Sequence, residues 1–502
     1  MERKSKLKQF IFSLPVYLIG ISLISPFLLF LFKLKTFPSL ENLEFLFVFF
    51  MTVFQSSASA FLSLFLGILA VRGLLSVSDK KYYFVIEAFV LIPCLIPPLI
   101  LALSLVHLVE LITVFPFGLT ALIISQTLTY IGLCSIALAR ILKKQGNFLS
   151  EWAYIHNVPS FYFLKALTKT VLLKDIQTLF VLVFTGSFTS LSLPLLLSGS
   201  SFFSLEFFIY ENLKNPALWS QALAVILFQS FFIFIICWRA FSQNSSFDKD
   251  LSDKRIHLIP SRSFLIIPIF AVMLSIGGLF FISDKTVFVD LLSLSSFILS
   301  AGVNSITLSL IVGFLTLFLL TALCLSYQNV KARRFIASFT PPGVSFMGLA
   351  FLLIPIYTQT AVLIKWAIGL TLLLFPWIYR FRGERALDKM GLQVETGRFL
   401  GSDEWLIFTD ILWPANRALF FLCAGITSFW ACGDFSYSLI VSSGHWNLSL
   451  VVYDFFSSYR LEEAILLSWL LLFISFIVFL FWLALAVILD KNKKFSIRKL
   501  IF

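Results

Sequence analysis

The residues of this sequence that could do chemistry are few and stand far apart. Asp434 and Lys365 each lie inside a long apolar run, where an ionisable group is a functional candidate by default. Asp434 could bind a cationic substrate or pair with another helix, whereas Lys365 could extend to a membrane surface. The six cysteines and four histidines form no CxxC pair and no metal-ligand spacing, which favours buried thiols over disulfides or metal sites. We expect no metal and no cofactor on this chain.

Catalysis is not expected either. The sequence has no GxxxxGK[ST] loop of the kind that holds nucleotide phosphates. It also lacks the cluster of carboxylates or histidines that a membrane enzyme would need at one membrane face. We therefore predict a protein that is not an enzyme, and a polytopic membrane enzyme remains a weaker alternative.

The composition requires a membrane around most of the chain. Of its 502 residues, 59% are hydrophobic and 13% are charged, against about 45–50% and about 25% in soluble domains; the mean hydropathy is +0.97. Runs of about 20 apolar residues are long enough to cross the hydrocarbon core as helices. The sequence predicts an all-α polytopic membrane protein with about 12 transmembrane helices, over residues 10–32, 44–71, 83–109, 115–139, 176–196, 217–238, 263–283, 293–326, 335–357, 359–379, 418–442 and 463–489.

Basic residues orient these helices. With the N-terminus placed in the cytoplasm, 32 of the 38 Lys and Arg residues fall in cytoplasmic segments, as the positive-inside rule predicts. We expect both termini to be cytoplasmic and the protein to reside in a bacterial inner membrane. The net charge of +12 then belongs to the cytoplasmic loops, and nucleic acid is not expected as a partner.

The chain repeats itself with a period near 244 residues. Pro97-Pro98 matches Pro341-Pro342. The segment SLEFFIYE, which begins at Ser204, matches NLSLVVYD, which begins at Asn447. Ser190 is the counterpart of Asp434, so Ser190 joins Asp434 and Lys365 as a candidate for the substrate pathway.

This repeat predicts two homologous six-helix halves, residues 1–240 and 263–502, joined by a polar cytoplasmic linker over 241–262. Both halves enter the membrane from the same side, so they are related by an axis along the membrane normal, which suggests a path between them.

Two long cytoplasmic loops occupy matching places in the halves, over 151–170 and 395–414. The second reads ETGRFLGSDEWLIFTDILWP, and we expect a short helix, a turn at Gly401 and a second helix. The apolar residues of such a compact knob could fill a groove on a partner, and Glu395 could pair with a basic group there. An ordinary helix–turn–helix at the membrane interface is the alternative.

The spacing of this loop resembles the EAA signature of permease subunits of binding-protein-dependent ABC importers. Glu395 opens the signature, Gly397 stands at its third position, Gly401 at its glycine and Pro414 at its proline.

The first loop is a degenerate copy of the same signature. It keeps Glu151 and Ala153, and Asn157 stands where the glycine would be. Asn tolerates the left-handed backbone that glycine supplies.

The resemblance extends over most of the chain and is greatest to the fused two-half permeases of the thiamine and ferric-iron group. It implies two copies of a separate ATPase subunit, which would carry the ATP and magnesium, one beneath each loop. It also implies an extracytoplasmic substrate-binding protein that docks near Tyr210 and Tyr453. Thiamine is favoured as substrate and ferric iron comes next, while a twelve-helix secondary transporter is the main alternative function.

Overall fold

The computed structural model describes most of the chain between residues 44 and 489. The described residues are 17, 44–77, 82–110, 117–156, 158, 162, 173–199, 204–241, 262–280, 294–327, 333, 336, 358–383, 387, 390–442 and 444–489. Within them the chain is all-helical, and no β-strand occurs.

Seventeen helices in the described residues position the side chains of the candidate site. They are α1 Glu44–Ser76, α2 Tyr83–Val90, α3 Ile92–Leu95, α4 Pro98–Glu110, α5 Leu119–Ile155, α6 Leu173–Phe188, α7 Ser192–Leu197, α8 Leu205–Lys214, α9 Trp219–Phe241, α10 Ile266–Gly277, α11 Ser295–Leu325, α12 Gln359–Ile378, α13 Gly391–Phe399, α14 Glu404–Gly433, α15 Ser436–Val441, α16 Leu448–Ser457 and α17 Leu461–Leu489.

Eight helical segments among the described residues are long and apolar enough to cross a membrane. The protein is therefore a polytopic helical membrane protein. The segments are Glu44–Ser76, Leu119–Leu142, Trp219–Trp238, Arg262–Phe280, Ser295–Leu325, Ala361–Ile378, Glu404–Gly433 and Leu461–Leu489. Each corresponds to one of the predicted spans, but the span predicted over 418–442 is wrong as one helix, because α14 ends at Gly433 and α15 follows.

The remaining predicted spans have different outcomes. The span predicted over 83–109 is divided at its prolines, because α2, α3 and α4 follow one another there, separated at Leu91 and at Ile96. Pro93, Pro97 and Pro98 lack the N–H that an uninterrupted helix requires. The span predicted over 176–196 is divided into α6 and α7. The spans predicted over 10–32 and 335–357 lie outside the described residues, apart from residues 17 and 336.

The described residues divide into two compact units. The first unit contains residues 42–208 and 236–283, and the second contains residues 209–235 and 284–489. Neither unit is one contiguous stretch of chain, because α10, which begins the predicted second half, belongs to the first unit.

Small residues allow the helices of the first unit to approach closely. Leu128 and Ile131 of α5 form a buried core with Ala271 of α10. At the end of α10, the backbone N–H of Gly278 donates to Ser104 Oγ at 3.0 Å. The hydroxyl of Ser104 in turn donates to the carbonyl of Leu274 at 3.1 Å. This double contact fixes α10 against α4.

The second unit is centred on α11, α14 and α17. Ala424, Val478 and the fully buried Trp482 form its core cluster. A Cβ added to Gly313 would lie 2.6 Å from Cζ2 of Trp482, so only glycine lets α11 approach the indole this closely. The helix α14 is therefore held in a dense core by α11 and α17.

We predict that Gly278→Ala destabilises the protein. The added Cβ would lie 2.8 Å from the carbonyl carbon of Ser104, and backbone cannot yield as a flexible side chain does. Overpacking of this kind costs about 1–3 kcal/mol. The midpoint of thermal unfolding of the purified protein in detergent measures the effect.

The neighbouring glycine provides the control. A Cβ at Gly277 has its closest contact at 3.6 Å, with Leu108 Cδ1, so Gly277→Ala should leave the midpoint unchanged or raise it. Equal losses in the two variants would contradict the close contact at Gly278.

Candidate functional site

The segment over 391–412 forms a compact helix–turn–helix, which we call the knob. The helix α13 lies against the start of α14, and Val394 and Ile407 between them are buried. Gly397 faces the same contact, because a Cβ added there would lie 3.2 Å from Ile411 Cδ1. A larger residue at 397 would force the two helices apart.

Gly401 makes the turn between the two helices. Its φ is +80°, a left-handed conformation that favours glycine. Its N–H donates to the carbonyl of Arg398 at 2.9 Å, and the N–H of Ser402 donates to the carbonyl of Gly397 at 3.0 Å. These bonds terminate α13 in the manner of a glycine C-cap.

An ion pair spans the turn from the outside. Arg398 Nε lies 2.9 Å from Glu404 Oε1, and Arg398 Nη2 donates to Glu404 Oε2 at 3.4 Å. Bidentate pairs of this type fix geometry. The knob is therefore held by its buried contact, its turn and this pair.

The outer surface of the knob is apolar and exposed. Phe399 is 93% exposed, Leu392 79% and Leu400 77%. Trp405 and Leu406 are more than half exposed. We call these five residues the knob patch. Large apolar side chains grouped on a surface mark a site of interaction.

Glu395 lies on the exposed part of α13. No ion pair joins its carboxylate to another of the described residues, so it is accessible to a partner's basic group. The predicted knob residues Glu395, Gly397 and Gly401 are thus brought together in one structure.

A π-helical turn connects the knob to the membrane segment of α14. It covers Ile407–Leu412, and Pro414 follows in the next turn, exposed. Proline has no N–H to donate to a carbonyl one turn earlier, which explains why the hydrogen-bond pattern changes immediately before it. Such turns are frequent at functional sites.

The first-half loop is described only in part. Glu151 and Ala153 lie in the final turns of α5, and their side chains are outside the described part of the structure. Asn157 also lies outside the described residues. The matching knob over 151–170 remains a prediction.

Asp434 ends α14 and begins the short helix α15. Its carboxylate accepts hydrogen bonds from the N–H groups of Tyr437 at 3.1 Å and Ser438 at 3.4 Å. It also accepts one from the hydroxyl of Ser436 at 3.1 Å. These are the bonds of a helix cap. Both carboxylate oxygens are therefore used in the structure, whatever else Asp434 binds.

Lys365 does not extend to the surface. Only 4% of the residue is exposed, and among the described residues none forms an ion pair or hydrogen bond with its ammonium group. A buried lysine in an apolar helix is a functional candidate. Lys365 and Asp434 show no contact with each other, and Ser190 lies half-buried in the turn that follows α6.

The same arrangement of short elements occurs twice along the chain. The helix α7 is followed by Gly199 with φ of +61°, and α15 is followed by Gly444 with φ of +87°. Ten-residue helices come next in both, α8 and α16.

A hydroxyl from an earlier membrane helix caps each of these ten-residue helices. Thr52 Oγ1 accepts from the N–H of Leu205 at 2.9 Å. Ser305 Oγ accepts from the N–H of Leu448 at 2.8 Å. Each hydroxyl satisfies a donor that the first turn of a helix leaves free.

Tyr210 and Tyr453, the predicted docking residues, lie close enough to interact. Burial raises the pKa of Tyr210 to about 12, with a contribution from Glu211. The pKa of Tyr453 is also raised, first by burial and then by Tyr210. The ring of Tyr453 stacks on Phe435 at 5.1 Å, and Lys214 Nζ lies 4.6 Å from the ring centre of Tyr210.

No protein-family model, curated protein or solved structure matches the chain. The function therefore has to be argued from the residues themselves.

Sequence reasoning missed a group of uncharged polar residues in the first unit. Gln55 of α1 and Gln126 of α5 are joined by their side-chain amides and are 0% and 1% exposed. Gln126 Nε2 also donates to the carbonyl of Ser187 at 3.3 Å. Glutamine is rare in apolar spans, so Gln55 and Gln126 are visible in the sequence as polar residues, although neither is ionisable.

We predict that Gly401→Ala loosens the knob by about 1–2 kcal/mol. Nothing lies within 4 Å of a Cβ at this position, so the cost comes from the backbone conformation alone. Amide hydrogen exchange over 394–404 in the purified protein should become faster. Gly401→Asn is the matched control, because Asn tolerates this conformation, and equally fast exchange in both variants would contradict the explanation.

We predict different effects for two substitutions of Asp434. Asp434→Ala removes the cap of α15 and should cost about 1–2 kcal/mol in thermal stability. Asp434→Asn keeps an oxygen that can accept from Tyr437 and Ser438 and should retain most of the stability. A loss of equal size in Asp434→Asn would show that the negative charge, rather than the cap, is required.

Proposed function

We propose that this chain is the transmembrane permease of a binding-protein-dependent ABC importer. The observation that carries the proposal is the knob: a rigid helix–turn–helix whose left-handed Gly401 stands at the glycine of the EAA signature, and whose outer surface is a patch of exposed apolar side chains. A surface of this kind is costly to leave in water, and a partner that covers it explains why it is there.

The partner is a pair of separate ATPase subunits, because the chain carries no phosphate-binding loop of its own. Phe399 and Leu400 enter a groove on one ATPase subunit, and Glu395 pairs with a basic group beside that groove. Closure of the two ATPase subunits on ATP and magnesium then pushes the knob as a rigid body. A second knob at Glu151 receives the second subunit.

The chain contains two homologous halves of six helices each, with both termini in the cytoplasm of a bacterial inner membrane. The repeated order of α7, Gly199 and α8 against α15, Gly444 and α16 supports this division. The capping hydroxyls of Thr52 and Ser305 support it further. The halves rock about the path between them, so that the path opens alternately to the two sides.

Substrate arrives on an extracytoplasmic binding protein. Tyr210 and Tyr453 lie near each other within the second unit, and exposed Glu211 and Asp454 follow them in sequence. This surface is the proposed docking place. Thiamine is the favoured substrate and ferric iron the second.

A twelve-helix secondary transporter is the competing function. It accounts for the helices and for the repeat. It gives no role to the knob patch, and it would use Lys365 as the ionisable group of its pathway.

The test is a pull-down of the tagged chain, expressed in its own host and solubilised in mild detergent, followed by an ATPase assay. We expect an ATPase subunit to co-purify with the wild-type chain. In the Glu395→Ala/Gly401→Asp variant, ATPase activity should fall at least tenfold while the chain still inserts in the membrane. The Arg460→Ala variant, changed at the predicted outer face, is the control and should keep the activity.

A chain that purifies alone even after mild cross-linking would refute the importer proposal. A co-purified ATPase whose activity is unchanged in the double variant would refute the role of the knob.

A further inference from the structure

Hydrogen bonds between buried side-chain amides and a backbone carbonyl connect three helices of the first unit. Gln55 of α1 donates through Nε2 to Gln126 Oε1 of α5, and Gln126 donates through Nε2 to the backbone of Ser187 in α6. Ser56, beside Gln55, is fully buried as well. We call Gln55, Ser56, Gln126 and Ser187 the amide cluster.

The amide cluster is not fully satisfied by the protein. Gln55 Oε1, Ser56 Oγ and Ser187 Oγ are buried and have no hydrogen-bond partner among the described residues. Exchanging the oxygen and nitrogen positions of the Gln55 amide would not give the oxygen a donor, because the oxygen would then face Gln126 Oε1. A buried polar atom without a partner costs free energy, so a group that brings hydrogen-bond donors would bind here favourably.

The second unit lacks the two glutamines of this cluster. Thr52 caps α8 as Ser305 caps α16, so the two residues occupy equivalent positions. The same offset along the chain places Leu308 at the position of Gln55. The period of 244 aligns Gln126 with Leu370 and Ser187 with Ala431. Leu308, Leu370 and Ala431 are all fully buried. Ser56 aligns with the buried Ser309, whereas the positions of Gln55, Gln126 and Ser187 are apolar in the second unit.

We infer that the amide cluster is a substrate-binding site, and that it takes an uncharged N–H or O–H donor group of a small organic solute. The inference rests on the proposed importer function and adds to it a substrate class. Amide carbonyl and hydroxyl oxygens accept hydrogen bonds from amino and hydroxyl groups. No charged side chain belongs to the cluster, so it lacks the carboxylates that would offset the charge of a bare ferric ion. Between the two substrates left open above, this favours thiamine, which carries an amino and a hydroxyl group.

The decisive variant is Gln55→Leu/Gln126→Leu, which gives the first unit the leucines that the second unit already has. Replacing both partners of a buried hydrogen bond by apolar groups is close to neutral for stability. The fold and the co-purification of the ATPase should therefore be preserved. Ser59→Ala is the control, because Ser59 is buried on the same helix and donates to the carbonyl of Gln55 at 2.9 Å within that helix.

The experiment measures uptake of labelled thiamine and of ferric citrate by cells of the native host that lack the chromosomal copy. We expect the wild-type chain and Ser59→Ala to take up thiamine with the same KM. The double leucine variant should show a KM raised by about tenfold or more, the loss expected for one or two neutral hydrogen bonds. Its thermal midpoint and its ATPase co-purification should match those of the wild type.

The inference is overturned if the double leucine variant takes up thiamine with an unchanged KM, or if the wild-type chain takes up ferric iron or neither solute while its ATPase co-purifies. A chain from which no ATPase co-purifies overturns the proposed function instead. The pull-down therefore separates the two failures.

Discussion

Every backbone N–H and C=O group in a membrane helix must find a partner within the protein, because hydrocarbon offers none. This constraint decides where the helices of this structure can be interrupted. Thr52 and Ser305 supply the acceptor for the first turn of α8 and α16, and Asp434 supplies it for α15. The interruptions are placed where a hydroxyl or carboxylate from a neighbouring helix or turn is available. The polar residues of the apolar runs are thus first of all structural, and a ligand-binding role has to be argued in addition.

The amide cluster differs from these caps in one respect. The capping side chains of Thr52, Ser305 and Asp434 are all hydrogen-bonded, whereas the amide cluster contains three polar atoms that have no hydrogen-bond partner among the described residues. At the positions that match Gln55, Gln126 and Ser187, the second unit holds leucine and alanine, whereas the first unit holds polar groups whose hydrogen-bonding capacity the described residues do not use fully.

The sequence predicts the membrane class and most of the spans, because long apolar runs leave few alternatives. The helix–turn–helix of the knob also follows from sequence, since Gly401 predicts its turn, whereas the close contact at Gly397 does not. Pro93, Pro97 and Pro98 predict that the span over 83–109 is broken, but not where, because proline is tolerated within membrane helices when neighbours satisfy the backbone. The burial of Lys365 could not be predicted at all, since it depends on which helices surround α12. The amide cluster joins residues up to 132 positions apart, and only the packing of α1, α5 and α6 brings them together.

The π turn at Ile407–Leu412 has a mechanical consequence. A π turn holds one residue more than an α-helical turn, and each residue of an α-helix advances the side chains by roughly 100° around the axis. Returning this turn to regular α-helix would therefore rotate the rest of α14 by a large angle relative to the knob, with only a small change in length. Such a change would turn the helix that ends before Asp434 about its own axis relative to the knob.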